Sequence, residues 1–244
     1  AESTKVFGEI PYGVYERPPV PSNEYEESKY EWPAQKWVAI DDNHNQIGLV
    51  LSNDGRNGFD LRECSSGMGK DTGKRVLRSS LIKHSYYHIK AGDGYPTYDT
   101  PENLGIEENQ EVTYSIYTYK GDWRDSKAWR KGYELNYTLS SVVAEPHEGM
   151  YEESNSFIEI HNASCVYAAA LKKAEDDDAY ILRLFETGGV PSPNTIIYFP
   201  MDIKRATEAN LLEEEMGEED ITVEGNCLRV GISPWEIKTI KIFV

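Results

Sequence analysis

One stretch of the sequence shows the pattern that indicates the fold: Ile47-Gly-Leu-Val-Leu-Ser-Asn-Asp-Gly-Arg-Asn-Gly-Phe-Asp60. It opens with a short apolar run, residues 47–52, which ends at Asn53-Asp54-Gly55. Short apolar runs bounded by turn residues are typical of buried β-strands. Asn and Asp stabilise turns by hydrogen bonds to nearby backbone, and Gly adopts the positive φ angles that turns need. The stretch therefore predicts a buried strand followed by a tight turn.

Similar strand patterns recur along the chain. Apolar runs or alternation predict further strands over residues 75–82, 110–119, 179–186 and 236–244. In the third of these, successive apolar residues from Ile181 to Phe185 point to opposite faces, so we expect both faces to be covered. Short strands separated by turns favour antiparallel β-sandwiches over a parallel α/β sheet. The predicted fold class is therefore all-β.

Helical patterns are few, and the strand pattern has one clear interruption. Residues 125–139 predict a short helix, and residues 206–216 fit a helix or a strand. Pro, Gly, Ser and acidic residues cluster between residues 140 and 156 and break the alternation. We therefore predict a larger β unit over residues 1–150 and a smaller β unit over residues 151–244.

The charge of the chain excludes some classes of partner. Among 244 residues, 42 are Asp or Glu and 25 are Lys or Arg, which gives a formal net charge of −17. Such a surface repels phosphate backbones and anionic lipid, so we expect no nucleic-acid partner and no membrane partner. The three cysteines form no C-x-x-C pair. We therefore expect free thiols, which persist in a reducing compartment, and this predicts a cytoplasmic location.

The sequence contains no recognisable metal-binding motif and does not identify a catalytic pair of carboxylates. The five histidines are scattered, with no His-x-Asp or H-E-x-x-H pattern, and His84 and His88 lie in a stretch that reads as extended. We expect no metal site in this region. The acidic run 213–220 is predicted as a solvated loop or helix end, with a cation site as the alternative. Glycoside hydrolysis needs two carboxylates, and the sequence alone does not select a pair among so many acids.

Four places in the chain, in this order, carry motifs that resemble one known family. The motifs are Ile10-Pro-Tyr-Gly-Val-Tyr-Glu-Arg17 with Glu31-Trp-Pro-Ala-Gln-Lys-Trp37; Gly48-Leu-Val-Leu-Ser-Asn-Asp-Gly-Arg-Asn-Gly-Phe-Asp60; Gly121-Asp-Trp-Arg124 with Tyr133-Glu-Leu-Asn136; and Ala170-Leu-Lys-Lys-Ala-Glu-Asp176 with Leu182-Arg-Leu-Phe-Glu186 and Trp235-Glu-Ile-Lys-Thr239. They are similar, in order and spacing, to the C-terminal β region of the family 38 glycoside hydrolases, the α-mannosidases. The resemblance extends from about residue 6 to the last residue.

The resemblance implies a fold and a function. It implies a galactose-mutarotase-like β super-sandwich followed by a smaller C-terminal β-sandwich. It also implies that the chain is part of a retaining α-mannosidase, whose zinc, nucleophilic Asp and acid/base Asp belong to an N-terminal catalytic domain. The implied partners are that domain and the α-mannoside substrate, and no catalytic residue is expected here. The alternative is a non-catalytic module that binds carbohydrate or forms a homo-oligomer.

Two segments supply the candidate contacts to substrate or to the neighbouring domain. They are Asn53, Asp54 and Arg56 in the turn of the 48–60 motif, and Asp122, Trp123 and Arg124 in the Gly121-Asp-Trp-Arg124 motif. Each has a structural alternative: the first group as a turn whose side chains bond to nearby backbone, the second as an Arg–Asp pair beside a packed Trp. Where the family motif has Lys and Tyr, this chain has Arg56 and Asn57. The loop 87–110 is a further candidate, although it lacks the Arg that eukaryotic relatives carry there.

Overall fold

The computed structural model describes residues 4–18, 22–29, 31–66, 70–81, 87–89, 96–98, 111–150, 152–217 and 220–244. In this part of the chain the helices are α1 Glu24–Ser28 and α2 Arg130–Asn136. The strands up to α2 are β1 Thr4–Ile10, β2 Gly13–Arg17, β3 Trp32–Pro33, β4 Trp37–Asp42, β5 Ile47–Asn53, β6 Gly58–Ser66, β7 Lys70–Ser80, β8 Tyr87–Ile89, β9 Pro96–Tyr98 and β10 Tyr114–Lys120. The strands after α2 are β11 Glu159–His161, β12 Val166–Lys173, β13 Tyr180–Glu186, β14 Ser192–Tyr198, β15 Arg205–Ala209, β16 Glu215–Gly217, β17 Ile221–Glu224, β18 Cys227–Ile232 and β19 Ile237–Phe243.

The strands form antiparallel sheets, and the predicted all-β class is confirmed. Sheet 1 has the order β10-β5-β4-β1-β2, and sheet 2 has the order β3-β6-β7. Sheet 3 has the order β11-β14-β18-β17, and sheet 4 has the order β12-β13-β19-β15-β16. Strands β8 and β9 pair with each other. Neighbouring strands in each sheet run in opposite directions, as turn-connected strands do.

Most of the strand predictions are confirmed, with changes at the ends. The strand expected over 47–52 is β5, and those expected over 179–186 and 236–244 are β13 and β19. The strand expected over 110–119 begins only at Tyr114. Both faces of β13 are buried, as expected. The ambiguous residues 206–216 contribute to strands β15 and β16.

The predicted helix 125–139 is shorter than the sequence pattern suggested. Before α2, the chain makes turns, and Lys127 has a φ of 54°. A non-glycine residue at positive φ interrupts helical backbone, so the regular helix begins only at Arg130. The apolar spacing came from Trp129 and Tyr133, which pack on the same side.

The central strands of sheet 1, β1, β4 and β5, bury side chains on both faces, and alternation along the strands explains this. In β4, Val38 faces sheet 2, whereas Trp37 and Ala39 face the segment around α2. On the first face, Val6 and Val38 pack against residues of sheet 2, including Phe59. A core of three tryptophans with Phe7, Ala39, Val50, Tyr119 and Ala128 fills the second face. The N-terminal half therefore consists of three packed layers, with sheet 1 in the middle, sheet 2 on one side and the α2 segment on the other.

The C-terminal half is a sandwich of sheets 3 and 4. Inward side chains from both sheets form one buried cluster, to which sheet 4 contributes Leu182, Leu184 and Ile240 and sheet 3 contributes Ile197 and Leu228. Burial of such side chains contributes roughly 1.5–3 kcal/mol each relative to exposure. This cluster gives the second β unit a core of its own.

The α2 segment joins the two halves through aromatic contacts. The ring of Tyr133 lies 4.6 Å from that of Tyr167 and 6.5 Å from that of Phe185, both on the outer face of sheet 4. Trp129 also meets Tyr167 edge to face. On the other side, α2 approaches sheet 1 so closely that a Cβ at Gly132 would lie 2.6 Å from Trp37 Cδ1. The helix is therefore wedged between the two β units.

Between α2 and β11, the described residues form no helix or strand. Several apolar side chains of this segment are almost fully exposed: Leu139 at 100%, Val142 at 90%, Val143 at 100% and Met150 at 93%. We call these four residues the apolar strap. The predicted division into 1–150 and 151–244 falls within this stretch and stays a prediction. Neither described helix is long and apolar enough to cross a membrane.

Candidate functional site

Asn53 organises the turn that the opening stretch of sequence predicted. It is buried, and its Oδ1 accepts the backbone N–H groups of Gly55 at 2.9 Å and Arg56 at 2.5 Å. Its Nδ2 donates to the carbonyl of Gln35 at 3.1 Å, and its own carbonyl accepts from Asn136 at 2.9 Å. The Asn53 side chain therefore holds the turn and a neighbouring loop, and its backbone carbonyl holds the end of α2.

Asp54 and Arg56 fasten the same turn to the residues before β10. Asp54 Oδ2 accepts the backbone N–H of Thr113 at 2.9 Å, and this hydrogen bond holds the pKa of the Asp54 carboxyl below its usual value. Arg56 donates from Nη2 to the carbonyl of Glu111 at 3.3 Å. Asp54 is exposed and Arg56 is half-buried, so both present charge at the rim of the turn.

The second candidate group combines an ion pair with a buried ring. Arg124 Nη1 lies 3.1 Å from Asp122 Oδ2, and the guanidinium lies 4.4 Å from the centre of the Trp123 ring. Trp123 is fully buried against Trp37 and Phe7. Arg124 Nε also donates to the carbonyl of Gly188 at 2.6 Å. This group therefore links the N-terminal core to the loop after β13.

The loop after β13 is built around Glu186, which sequence reasoning did not single out. This carboxylate is fully buried and accepts backbone N–H groups of Gly188 at 2.8 Å, Gly189 at 2.7 Å and Trp235 at 3.1 Å. A buried carboxylate is stable only when such donors surround it. A sequence signal was available, since the acidic strand end Glu186 is followed, after Thr187, by Gly188 and Gly189.

Cys165 lies under the same loop. Burial raises the pKa of its thiol to about 11, so the thiol is protonated at neutral pH and is a poor nucleophile. Its Sγ would lie 2.6 Å from a Cβ at Gly188, which leaves room for glycine alone. Cys165 is therefore a packing residue at the junction of the two β units.

Asp41 lies buried beneath the Asp122 group. Tyr119 donates its hydroxyl to Asp41 Oδ1 at 2.5 Å. Burial raises the pKa of the Asp41 carboxyl, and the negative charge of Asp122 raises it further, against the opposing effect of the Tyr119 hydrogen bond. The neutral carboxyl is therefore favoured in the folded chain relative to the unfolded chain.

Replacing Asp41 with asparagine should change stability in a pH-dependent way. Because the folded pKa is raised, the contribution of this carboxyl is fully present below its unfolded pKa of about 3.9 and is lost as pH rises through the folded pKa. Asparagine keeps an acceptor for Tyr119 without a charge. The measured quantity is the free energy of unfolding of Asp41→Asn minus that of the unmodified chain, obtained from denaturant unfolding. This difference should be more positive at pH 7.5 than at pH 4. An effect of the substitution that is equal at both pH values would contradict this assignment.

The described residues do not fit a zinc ion. No three of their His, Cys, Asp or Glu side chains come together as metal ligands. Within the described part of the acidic run 213–220, Glu213 pairs with Lys172 at 2.8 Å and Glu215 pairs with Arg205 at 2.6 Å. Most of the candidate loop 87–110, and His84, lie outside the described residues.

The two candidate groups face different parts of the molecule. Arg56 lines a pocket between β3 and the ends of β6 and β7, whereas Arg124 contacts the loop after β13. Glu31, on the wall of the same pocket, was also not selected from the sequence. The sequence carries no signal for it, because its position depends on tertiary contacts: Ser80 donates to Glu31 Oε1, and a Cβ at Gly58 would lie 2.1 Å from the same atom.

Comparison with protein families gives two matches, and both belong to one family. Residues 2–84 match the glycosyl hydrolases family 38 C-terminal domain. Residues 166–240 match the glycosyl hydrolases family 38 C-terminal beta sandwich domain. Together the two matches span more than half of the chain, and they fall in the two β units described above.

Curated relatives extend the likeness over almost the whole chain. Alpha-mannosidase G of Dictyostelium discoideum is 26% identical over 238 residues, which are 96% of this chain and 19% of that protein. Alpha-mannosidase 2C1 of Mus musculus is 24% identical over 237 residues, again 96% of this chain and 20% of that protein. The chain thus spans about a fifth of the length of each relative.

Solved structures share the fold. An alpha-mannosidase from Enterococcus faecalis V583 superposes with a TM-score of 0.68 at 17% identity, over 98% of this chain and 24% of that one. A glycosyl hydrolase family 38 protein from Enterococcus faecalis gives a TM-score of 0.64 at 16% identity, over 98% of this chain and 25% of that one. With both family matches in chain order and α-mannosidases among the relatives, the chain belongs to glycoside hydrolase family 38 and corresponds to its C-terminal β region.

Proposed function

We propose that this chain is the C-terminal supporting region of a longer retaining α-mannosidase, called the parent protein below. In this proposal, catalysis and the zinc ion belong to a domain that precedes these residues. The chain's role is to pack against that domain and to help form the substrate cleft. Its relatives are α-mannosidases about five times as long, and the described residues do not fit a metal, which together support this division of labour.

The observation that carries the proposal is the apolar strap. Four large apolar side chains in one segment are 90% or more exposed. A fully exposed apolar side chain forgoes roughly 1.5–3 kcal/mol that burial would contribute. Contiguous exposed apolar surface marks interaction sites in soluble proteins. The strap therefore suits a segment that another part of the parent protein covers.

A second apolar surface lies on β10, the outermost strand of sheet 1 among the described residues. Tyr114 and Ile116 are each 61% exposed, and Tyr117 is 37% exposed. In sheet 1, β10 pairs with β5 on one side. An exposed edge strand with apolar side chains is a ready docking surface. This edge supports the same proposal, because it offers a second contact to the preceding domain.

Substitutions in the strap should affect the parent protein and leave the 244-residue chain unchanged. The double variant Leu139→Ser/Val143→Ser should lower the unfolding free energy of the parent protein by about 3 kcal/mol, because both side chains become buried there. In the 244-residue chain both residues are fully exposed, so the change should stay within about 0.5 kcal/mol. Denaturant unfolding of both proteins provides the measurement.

The matched control is Glu145→Ser, a polar residue of the same segment that should change neither protein. An unchanged parent protein in the double variant would overturn the packing proposal. The alternative function, a module for homo-oligomerisation, predicts a different result. In that case the double variant would dissociate an oligomer of the 244-residue chain, as measured by sedimentation.

The proposal also covers the substrate, the cellular location and the partners of the parent protein. We propose an α-mannoside as the substrate of the parent protein and a cytoplasmic location for it. Cys165 and Cys227 are buried free thiols, which supports a reducing compartment. The net charge of −17 supports the absence of nucleic-acid and anionic-membrane partners.

A further inference from the structure

A pocket with both polar and apolar walls lies beside the turn that Asn53 organises. It has a volume of about 510 Å³, and its walls come from residues 31–33, residues 55–58 and Ser80–Leu81. Pockets of roughly 300–1,000 Å³ are the usual size for small-molecule sites. Three separate segments thus converge on one concave surface, with polar side chains from each of them.

The carboxylate of Glu31 is held in place on one wall. Ser80 donates its hydroxyl to Glu31 Oε1 at 2.7 Å. The carboxylate lies directly over Gly58, where any Cβ would come within 2.1 Å of Oε1. In β6, Gly58 pairs with Ser80 of β7, so the sheet itself sets the distance between these groups. The carboxylate therefore has a fixed position before any ligand arrives.

Arg56 supplies the opposite charge in the same pocket. Its backbone N–H is fixed by Asn53, and Nη2 contacts the carbonyl of Glu111 at 3.3 Å. Its Nε is buried and has no hydrogen-bond partner among the described residues. Buried donors are normally paired, so an unpaired guanidinium nitrogen at a pocket wall leaves donor capacity for a ligand. Asn57 adds an exposed amide beside it.

The chemistry of the walls selects the class of ligand. Glu31 repels anions and attracts cations, and Arg56 does the reverse, so the two charges offset each other and the pocket favours neither sign of ligand charge. Sugar hydroxyls both donate and accept, and they match a carboxylate, an amide and a guanidinium together. Pro33 and Leu81 add an apolar wall for the carbon face of a ring. From this combination we propose that the pocket binds a neutral hexopyranose unit of the mannoside substrate, away from the bond that is cleaved.

This inference rests on the proposed function for the identity of the sugar, but its test is separate. The 244-residue chain is titrated with methyl α-D-mannopyranoside, and backbone amide shifts are followed by NMR. Shifts should cluster at residues 55–58 and Ser80. Arg56→Ala should weaken binding by about tenfold, because a charged hydrogen-bond donor is lost. Asn57→Ala, at an exposed position, should weaken binding by a smaller factor without affecting folding.

The matched control is Arg229→Ala, an exposed arginine on β18 that pairs with Glu224 and should leave binding unchanged. No saturable shift in the unmodified chain, or equal binding by the Arg56 and Asn57 variants, would overturn the inference. Arg56-dependent binding of inorganic phosphate without binding of the sugar would also overturn it. Sugar binding by the chain together with a parent protein that lacks α-mannosidase activity would refute only the proposed function.

Discussion

Replacing Trp123 with alanine is expected to lower the free energy of unfolding of the 244-residue chain by about 3–5 kcal/mol. The ring is fully buried, with Trp37 at 5.1 Å and Phe7 at 5.6 Å between ring centres. Truncation removes the transfer free energy of a large aromatic side chain and leaves a cavity that sheet 1 and α2 cannot fill. Denaturant unfolding, followed by circular dichroism, measures the loss.

The position of Trp123 makes a second consequence measurable. Arg124 lies over the ring and donates to Gly188, so the indole also supports the contact between the two β units. Without the ring, we expect faster amide exchange in the loop 187–190 as well as lower global stability. A purely local core residue would change stability without this localised effect.

Two matched variants separate packing from other causes. Trp123 Nε1 has no hydrogen-bond partner among the described residues, so Trp123→Phe loses volume but no hydrogen bond and should cost clearly less than Trp123→Ala. Tyr114→Ala removes an aromatic ring that is 61% exposed and should cost little. A small loss in Trp123→Ala, similar to that of Tyr114→Ala, would show that this core is not the main support of the junction.

The fold was largely readable from apolar periodicity. The run before Asn53 predicted β5, and the two-faced pattern from Ile181 to Phe185 predicted a strand covered on both sides. The ends of helices and strands were harder to predict. The spacing of Trp129 and Tyr133 predicted a helix over residues 125–139, but Lys127 at positive φ delays its start to Arg130. Local backbone geometry of this kind leaves little trace in the hydrophobic pattern.

The candidate site was less predictable, because its geometry depends on residues far apart in the sequence. Turn chemistry pointed to Asn53, whose hydrogen bonds to residues 55 and 56 are local. Glu31 acquires its position from Ser80 and Gly58, which only strand pairing brings near it. Glu186 likewise depends on Trp235, some fifty residues later. Such tertiary contacts carry no periodic signal.

The central claim, that this region supports an α-mannosidase but does not itself catalyse, leads to a large expected difference in activity. The 244-residue chain should hydrolyse an aryl α-mannoside more slowly than the parent protein by a factor on the order of 10⁶ or more, since enzymes accelerate such reactions by at least that much. The reason is that the zinc and both catalytic acids are proposed to lie in the preceding domain.

The most direct test is the rate of aryl α-mannoside hydrolysis by equal molar amounts of the purified 244-residue chain and the parent protein. The account predicts turnover by the parent protein and none above the uncatalysed background by the chain. Turnover by the chain at the rate of the parent protein, in a preparation free of that protein, would contradict the account.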